Sequence, residues 1–279
     1  MPLKAIVFVA RLIVGNILFF GVFAPLFFLI MFLWLTERFY LMRARAKRRG
    51  DYGSIAYRRS VTRWQALCSR VYTALLRTLL FVKVEIRWEE GAEILPNQSY
   101  LIISNHVSWF DTVLYPGLCN YIGLKDVRFV VKEAFLKHRL AYFVLSRTWE
   151  EAAFPFVSRT NPEEDLKRIE YSSKIALDDT ASMLTFCEGT RQPDGMVGTP
   201  KWKGFCAQER IFQGRKIVSL TQCYDRPVSR TIWSGSSYLG RTIIIYVRVH
   251  EPLAPDIDRR GWLEEEFRHK DKLVRSIRG

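Results

Sequence analysis

The hydrophobic pattern divides the chain into two unlike parts. Residues 12–36, LIVGNILFFGVFAPLFFLIMFLWLT, run 25 positions without a charge. About 20 apolar residues suffice to cross a bilayer as a helix. The stretch outlasts the apolar core of a signal peptide, and no small-residue cleavage site follows it. It therefore reads as a retained membrane segment. Pro25 sits inside it and removes one helical hydrogen bond, so two forms stay open: a clean span and a re-entrant hairpin.

Beyond residue 60 the pattern becomes periodic. Trp64, Leu67, Val71, Leu75 and Leu79 recur at three- and four-residue steps, which predicts an amphipathic helix over 61–82. Arg63, Arg70 and Arg77 follow one side of it at seven-residue steps. Such a helix either lies in a bilayer interface with its arginines reaching phosphates, or packs in a core with a solvated basic edge. Period-two or short apolar runs then predict strands at 82–88, 100–104, 127–131, 154–158, 181–186, 216–223 and 241–249. Helices are expected at 108–118, from Pro162 onward, and at 262–276. The last of these carries Glu264–Glu266 first and Arg268, Lys270, Lys272 and Arg275 later, as the helix dipole favours. Interleaved strands and helices predict an α/β fold, a mixed sheet flanked by helices. The expected plan is an N-terminal membrane helix or hairpin with a basic flank (1–50), then one domain over 51–279 that includes the amphipathic helix.

Composition sharpens this picture. With 49% hydrophobic and 14% aromatic residues, the chain is neither disordered nor low-complexity. The net charge of +14 calls for an anionic partner. Arg38, Arg43, Arg45, Lys47, Arg48 and Arg49 follow the apolar stretch with no acid among them. That block orients the chain with residues 38 onward on the cytosolic side and attracts anionic headgroups. No nucleic-acid recognition motif accompanies the charge. The five cysteines form no C-x-x-C pair, and no His–Cys cluster has zinc spacing, so neither a disulfide framework nor a metal is expected.

Candidate chemistry gathers at strand ends. In LIISNHVSWFD, an apolar strand runs into His106, with Asp111 five residues on. A carboxylate beside a histidine fixes its tautomer and makes it a general base. Residues five apart on a continuous helix point about 140° away from each other. The pair therefore meets only if His106 precedes the helix and Asp111 sits in its first turn. Ser108 and Asp111 also have the spacing of a capping box, so Asp111 has a purely structural reading as well. A second strand runs into Glu188-Gly189-Thr190-Arg191, a third into Ser158-Arg159, and Lys201-Trp202-Lys203-Gly204 forms a basic turn. Arginine forks bind phosphate, and such loops collect at one edge of an open α/β sheet.

Asn105-His106-Val107-Ser108-Trp109-Phe110-Asp111 resembles the N-H-x-x-x-x-D motif of the glycerolipid, or lysophosphatidic acid, acyltransferase superfamily. Phe186-Cys187-Glu188-Gly189-Thr190-Arg191 resembles that family's F-P-E-G-T-R block, with Cys187 in place of Pro. The strand Val218–Tyr224 lacks the family's Val-Pro pair and is more similar to the lysocardiolipin-type branch and its bacterial relatives. The resemblance implies a membrane-bound enzyme that moves an acyl group from acyl-CoA or acyl carrier protein to a lysophospholipid hydroxyl, with no cofactor beyond that donor. Lysophosphatidic acid is the first acceptor to expect, lysocardiolipin or lysophosphatidylglycerol the alternative, and a non-catalytic lipid-binding protein the contrasting reading. It implies His106 as base, Asp111 as its partner, and Asn105, Ser108, Arg159, Glu188, Gly189, Thr190, Arg191 and Lys203 as acceptor-binding residues. It places the catalytic domain on the cytosolic face, at the inner membrane of a bacterium or the endoplasmic reticulum of a eukaryote.

Overall fold

Alternate residues of the central strands point to opposite sides of one sheet, and helices cover both sides. The computed structural model describes residues 10, 13–23, 25–26, 36–108, 111–137, 147–192, 195–228 and 237–278. The elements run α1 (Thr36–Arg49), α2 (Ile55–Leu79), β1 (Lys83–Trp88), β2 (Leu101–Ser104), α3 (Asp111–Tyr121), β3 (Val127–Phe129) and β4 (Val131–Lys132). They continue α4 (Ala134–Lys137), α5 (Arg147–Glu151), β5 (Phe156–Val157), α6 (Pro162–Asp178) and β6 (Ser182–Phe186). The chain ends with α7 (Trp202–Ile211), β7 (Ile217–Tyr224), β8 (Thr242–His250) and α8 (Arg259–Arg278).

Six strands form a mixed sheet in the order β1-β8-β7-β2-β6-β3. The parallel pairs β7–β2, β2–β6 and β6–β3 bring the carboxyl ends of four strands to one edge, while β8 runs antiparallel to β7. Ile102, Leu184, Val218 and Leu220 pack with Tyr72 and Leu76 of α2 and with Leu114 and Leu118 of α3. Leu101, Ile103, Met183 and Ile217, one residue out of phase, pack instead with Ala176 of α6, Phe205 of α7 and Leu263 and Phe267 of α8. The sheet is thus the middle of three layers. The strand expected over 127–131 is split into β3 and β4, and β4 pairs with β5 in a separate two-stranded sheet.

Helix α2 starts six residues before the expected point, because Ser54 caps it by accepting a hydrogen bond from the Tyr57 N–H at 3.2 Å. Its buried face is Val61, Ala66, Tyr72 and Leu76. The expected stripe of Trp64, Leu67, Val71, Leu75 and Leu79 is half-buried, with Trp64, Leu75 and Leu79 packed against the core. Arg63, Arg70 and Arg77 are exposed. Near its start, Arg58 holds both oxygens of Asp179 at 2.6 Å, and the fully buried Arg128 of β3 reaches the same carboxylate. Burial opposes the Asp179 charge, but these guanidinium hydrogen bonds prevail and hold it below the usual carboxylate range.

Helix α3 contains Pro116, which lacks an N–H and interrupts the helical ladder. Ser69 of α2 bridges the gap, donating to the Leu114 carbonyl at 2.9 Å and accepting from the Gly117 N–H at 2.7 Å. Only glycine fits there, because a Cβ on Gly117 would lie 2.6 Å from Ser69 Oγ and 3.0 Å from the Arg70 nitrogen.

Among the described residues no helix is long and apolar enough to cross a membrane. The expected membrane segment falls partly outside them, at residues 12, 24 and 27–35. Within it, Ile17–Phe23 forms a π-helical turn that packs against α2. Ile13, Val14, Ile17, Phe20, Val22 and Leu26 are exposed there.

Candidate active site

The strand-end motifs converge at the edge where β2, β6 and β7 finish. Ser108 is outside the helix and Asp111 lies in the first described turn of α3, which leaves His106 before the helix, as the spacing requires. His106 Nδ1 lies 2.9 Å from Asp111 Oδ2. The same oxygen accepts from the backbone N–H groups of Val107 at 2.7 Å and Ser108 at 2.8 Å. The Asp111 carboxylate thus takes the Ser108 N–H, as a capping box does, and the imidazole at once. Asp111 Oδ1 accepts from Ser108 Oγ and from Gln222 Nε2, both at 2.9 Å. With Nδ1–H given to Asp111, Nε2 is the basic nitrogen, and among the described residues it has no hydrogen-bond partner. Phe186, at the end of β6, stacks on the imidazole with ring centroids 4.4 Å apart. Trp109 and Phe110 of the motif lie outside the described residues.

Glu188 faces the same loop from β6. One oxygen accepts from the His106 N–H at 2.8 Å and the other from the Gly198 N–H at 2.7 Å. Burial pushes its carboxyl up to about 7, against the pull of these two hydrogen bonds; the Asp111 charge adds to the rise and Lys270 opposes it. Lys270 reaches from α8 with no exposure, donating to Ser219 Oγ at 2.5 Å and to the Leu220 carbonyl at 2.9 Å. Burial lowers its ammonium to about 8, and Glu266 resists that fall.

Asn105 and Ser108, expected among the acceptor-binding residues, are fully buried. The Asn105 amide is spent on β7: its Oδ1 accepts from the Gln222 N–H and its Nδ2 donates to the Gln222 carbonyl, each at 2.8 Å. Gly189 takes φ +69°, a left-handed turn suited to glycine, with Thr190 exposed and Arg191 half-buried after it. Arg191 lies near enough to Tyr238 for its charge to act on that phenol. Arg159 lies two residues past β5, at φ +65°. It is held there by Asp165, which accepts from the Ser158 and Arg159 N–H groups at 2.7 Å. Its exposed guanidinium makes no hydrogen bond or ion pair among the described residues. Lys203 places its ammonium 5.9 Å from the Trp202 ring centre. Lys201, passed over in the sequence, lies instead against Gly189: a Cβ there would sit 3.3 Å from Lys201 Nζ. Its N–H donates to the Cys187 carbonyl at 2.7 Å. No cluster of metal ligands occurs among the described residues.

This arrangement can deprotonate a hydroxyl at His106 Nε2, with cations on neighbouring loops for an anionic group. Comparison with known proteins agrees in kind. No curated protein matches the chain. The crystal structure of the 1-acyl-sn-glycerophosphate (LPA) acyltransferase PlsC from Thermotoga maritima superposes with a TM-score of 0.58 at 18% identity, covering 96% of this chain and 97% of that one. At that identity the match establishes a shared fold. The acyltransferase family model matches residues 86–229, from β1 to just past β7 and across every motif above. On that match, the chain belongs to the acyltransferase family.

Proposed function

We propose that the chain transfers a fatty acyl group from an acyl thioester to the free hydroxyl of a lysophospholipid, most directly lysophosphatidic acid. The observation that carries this reading is the His106–Asp111 pair at the carboxyl edge of the sheet, with Nδ1 engaged and Nε2 without a hydrogen-bond partner among the described residues. Nε2 takes the hydroxyl proton as the oxygen attacks the thioester carbonyl. The tetrahedral intermediate then collapses, the carbon–sulfur bond breaks, and the imidazolium returns the proton to the departing thiolate. A thioester is already activated, so no protein nucleophile is needed. Arg159, Arg191, Lys201 and Lys203 supply positive charge for the acceptor phosphate. Glu188 acts through the backbone on the loop carrying His106, and Gly189 and Thr190 form the turn beside it. The donor is acyl-CoA or acyl carrier protein. The LPA substrate named for the Thermotoga protein supports the choice of acceptor.

The reading includes a bilayer partner, with the catalytic domain on its cytosolic face. Its support is the exposed apolar set between Ile13 and Leu26, which packs against α2, and the exposed arginine row of that same helix. The test is a panel of lysophospholipid acceptors with labelled acyl-CoA, with His106→Ala as control. Turnover of lysophosphatidic acid that His106→Ala abolishes is the expected result. An inert lysophosphatidic acid beside an active lysocardiolipin or lysophosphatidylglycerol overturns the acceptor. Near-parental turnover by His106→Ala overturns the mechanism.

A further inference from the structure

We infer that Gln222 is a positioning residue for the catalytic pair. The inference rests on the reaction proposed above but concerns a residue to which the resemblance assigned no role. The loop from β2 to α3 begins at Asn105 and ends at Asp111, with His106 between. Gln222, in the neighbouring strand β7, grips both ends. Its backbone N–H and carbonyl hold the Asn105 amide at 2.8 Å each, so Asn105 is paired to β7 after β2 has stopped. Its side-chain Nε2 donates to Asp111 Oδ1 at 2.9 Å and to the Tyr224 hydroxyl at 2.9 Å. Gln222 has no exposure, so no solvent competes for these bonds.

The amide orientation is dictated by its surroundings. Turned the other way, Oε1 would face the Asp111 carboxylate, acceptor against acceptor. In the orientation present, Oε1 has no hydrogen-bond partner among the described residues. The fold leaves that acceptor unmatched while both Nε2 hydrogens are used. The donated proton does two things for Asp111. It fixes the carboxylate plane, because Oδ1 is held by Gln222 and Ser108 while Oδ2 is held by the loop and the imidazole. It also offsets part of the carboxylate charge as His106 sees it.

Gln222→Met separates these effects from the backbone latch, because it keeps length and the main-chain bonds to Asn105 and removes only the donor. The enzyme is assayed as the full chain, with kcat referred to the folded fraction from circular dichroism. Misplacing a reacting group by about an ångström costs on the order of 100-fold, so the expected loss in kcat is about ten- to 100-fold, with KM for the acceptor within about twofold. The acid limb of the kcat/KM profile moves to higher pH, because a less compensated Asp111 favours imidazolium. Glu188, Lys270 and the phenols of Tyr72, Tyr115, Tyr224 and Tyr238, which also act in this region, are unchanged in the variant. Tyr224→Phe, which keeps the Nε2 bond to Asp111, retains the parental acid limb. If Gln222→Met matches the parent in kcat and acid limb while His106→Ala is inactive, the role assigned to Gln222 is wrong and the reaction stands. If Gln222→Met loses folded protein but each folded molecule works normally, the role is structural and the inference also fails. Should His106→Ala remain active, the proposed reaction itself falls first.

Discussion

Replacing Glu188 with glutamine should change how stability depends on pH, and the size of the change follows from two hydrogen bonds and one buried charge. In the parent both carboxylate oxygens accept buried backbone N–H groups, from His106 at 2.8 Å and Gly198 at 2.7 Å. A glutamine offers one acceptor and one NH2, so one of those N–H groups must face a donor. An orphaned buried donor costs about 1–3 kcal/mol. Against this stands the cost of the charge. Burial lifts the Glu188 carboxyl from its ordinary 4.5 to about 7, so the folded protein binds this proton more tightly than the unfolded chain does. The sign follows: between about pH 4.5 and 7 the native state holds more protons, and stability falls as pH rises through that window. At 1.36 kcal/mol for each pH unit, the charge costs about 3 kcal/mol once the window is passed. Glutamine carries no such charge. At pH 5 the parent carboxyl is itself protonated, so the variant should differ there by less than a full orphaned bond, and should gain on the parent by about 2–3 kcal/mol between pH 5 and pH 8, where only the parent acquires the buried charge. Urea unfolding of both proteins at pH 5 and pH 8 measures the difference, and titrating groups that do not feel the Glu188 charge cancel in it. Parallel pH profiles for the two proteins would refute the argument. In activity, the same substitution should lower kcat wherever the amide rotates to release the His106 N–H.

Three further outcomes are expected. Asp179→Ala should destabilise the protein by about 3–5 kcal/mol in urea unfolding, because Arg128, with no exposure, loses its carboxylate partner. Gly117→Ala should cost about 1–3 kcal/mol by the same measurement, since its methyl group meets Ser69 Oγ and the Arg70 backbone. Cys119, Cys187 and Cys223 should resist iodoacetamide in the native protein at pH 8, because burial pushes each thiol up to about 12 and the thiolate is the reactive form. Peptide mapping after brief alkylation would contradict this if any of the three carried the label.

The sequence conveyed the elements whose signals are local. Pro162 with Glu163, Glu164 and Asp165 announces α6, and the structure adds only that Asn161 caps it. His106 and Asp111 were legible as a pair because five residues of spacing leave a single workable arrangement. Gln222 was not legible. Its importance depends on β7 lying beside β2, a neighbour 117 residues away for Asn105, and the strand motif Val218–Tyr224 does not single out Gln222 within it. Lys201 was overlooked for a similar reason. Two lysines flank Trp202, and only the turn at Gly189 decides which one lies over it. The resemblance implies an acceptor-binding Asn105, yet the residue just past β2 faces a neighbouring strand that still needs pairing. The α2 stripe looked the same for bilayer and core, because an apolar face carries no record of what covers it. The sheet claims one face of the helix, since Ile102, Val218 and Leu220 need a cover on that side and Tyr72 and Leu76 supply it.

The Ser69 joint between α2 and α3 fixes more than the packing of two helices. Asp111 is the first residue of α3 and Gly117 lies six residues along it, about 9 Å at helical rise. With Gly117 locked to α2 at one end and Asp111 locked to His106 at the other, the imidazole stands at a constant height above α2. A helix free to slide in its groove would let that height drift; a serine bridging a proline gap against a bare glycine backbone does not. Whatever surface meets the arginine row of α2 thus sets, by simple geometry, the depth at which an incoming hydroxyl must present itself.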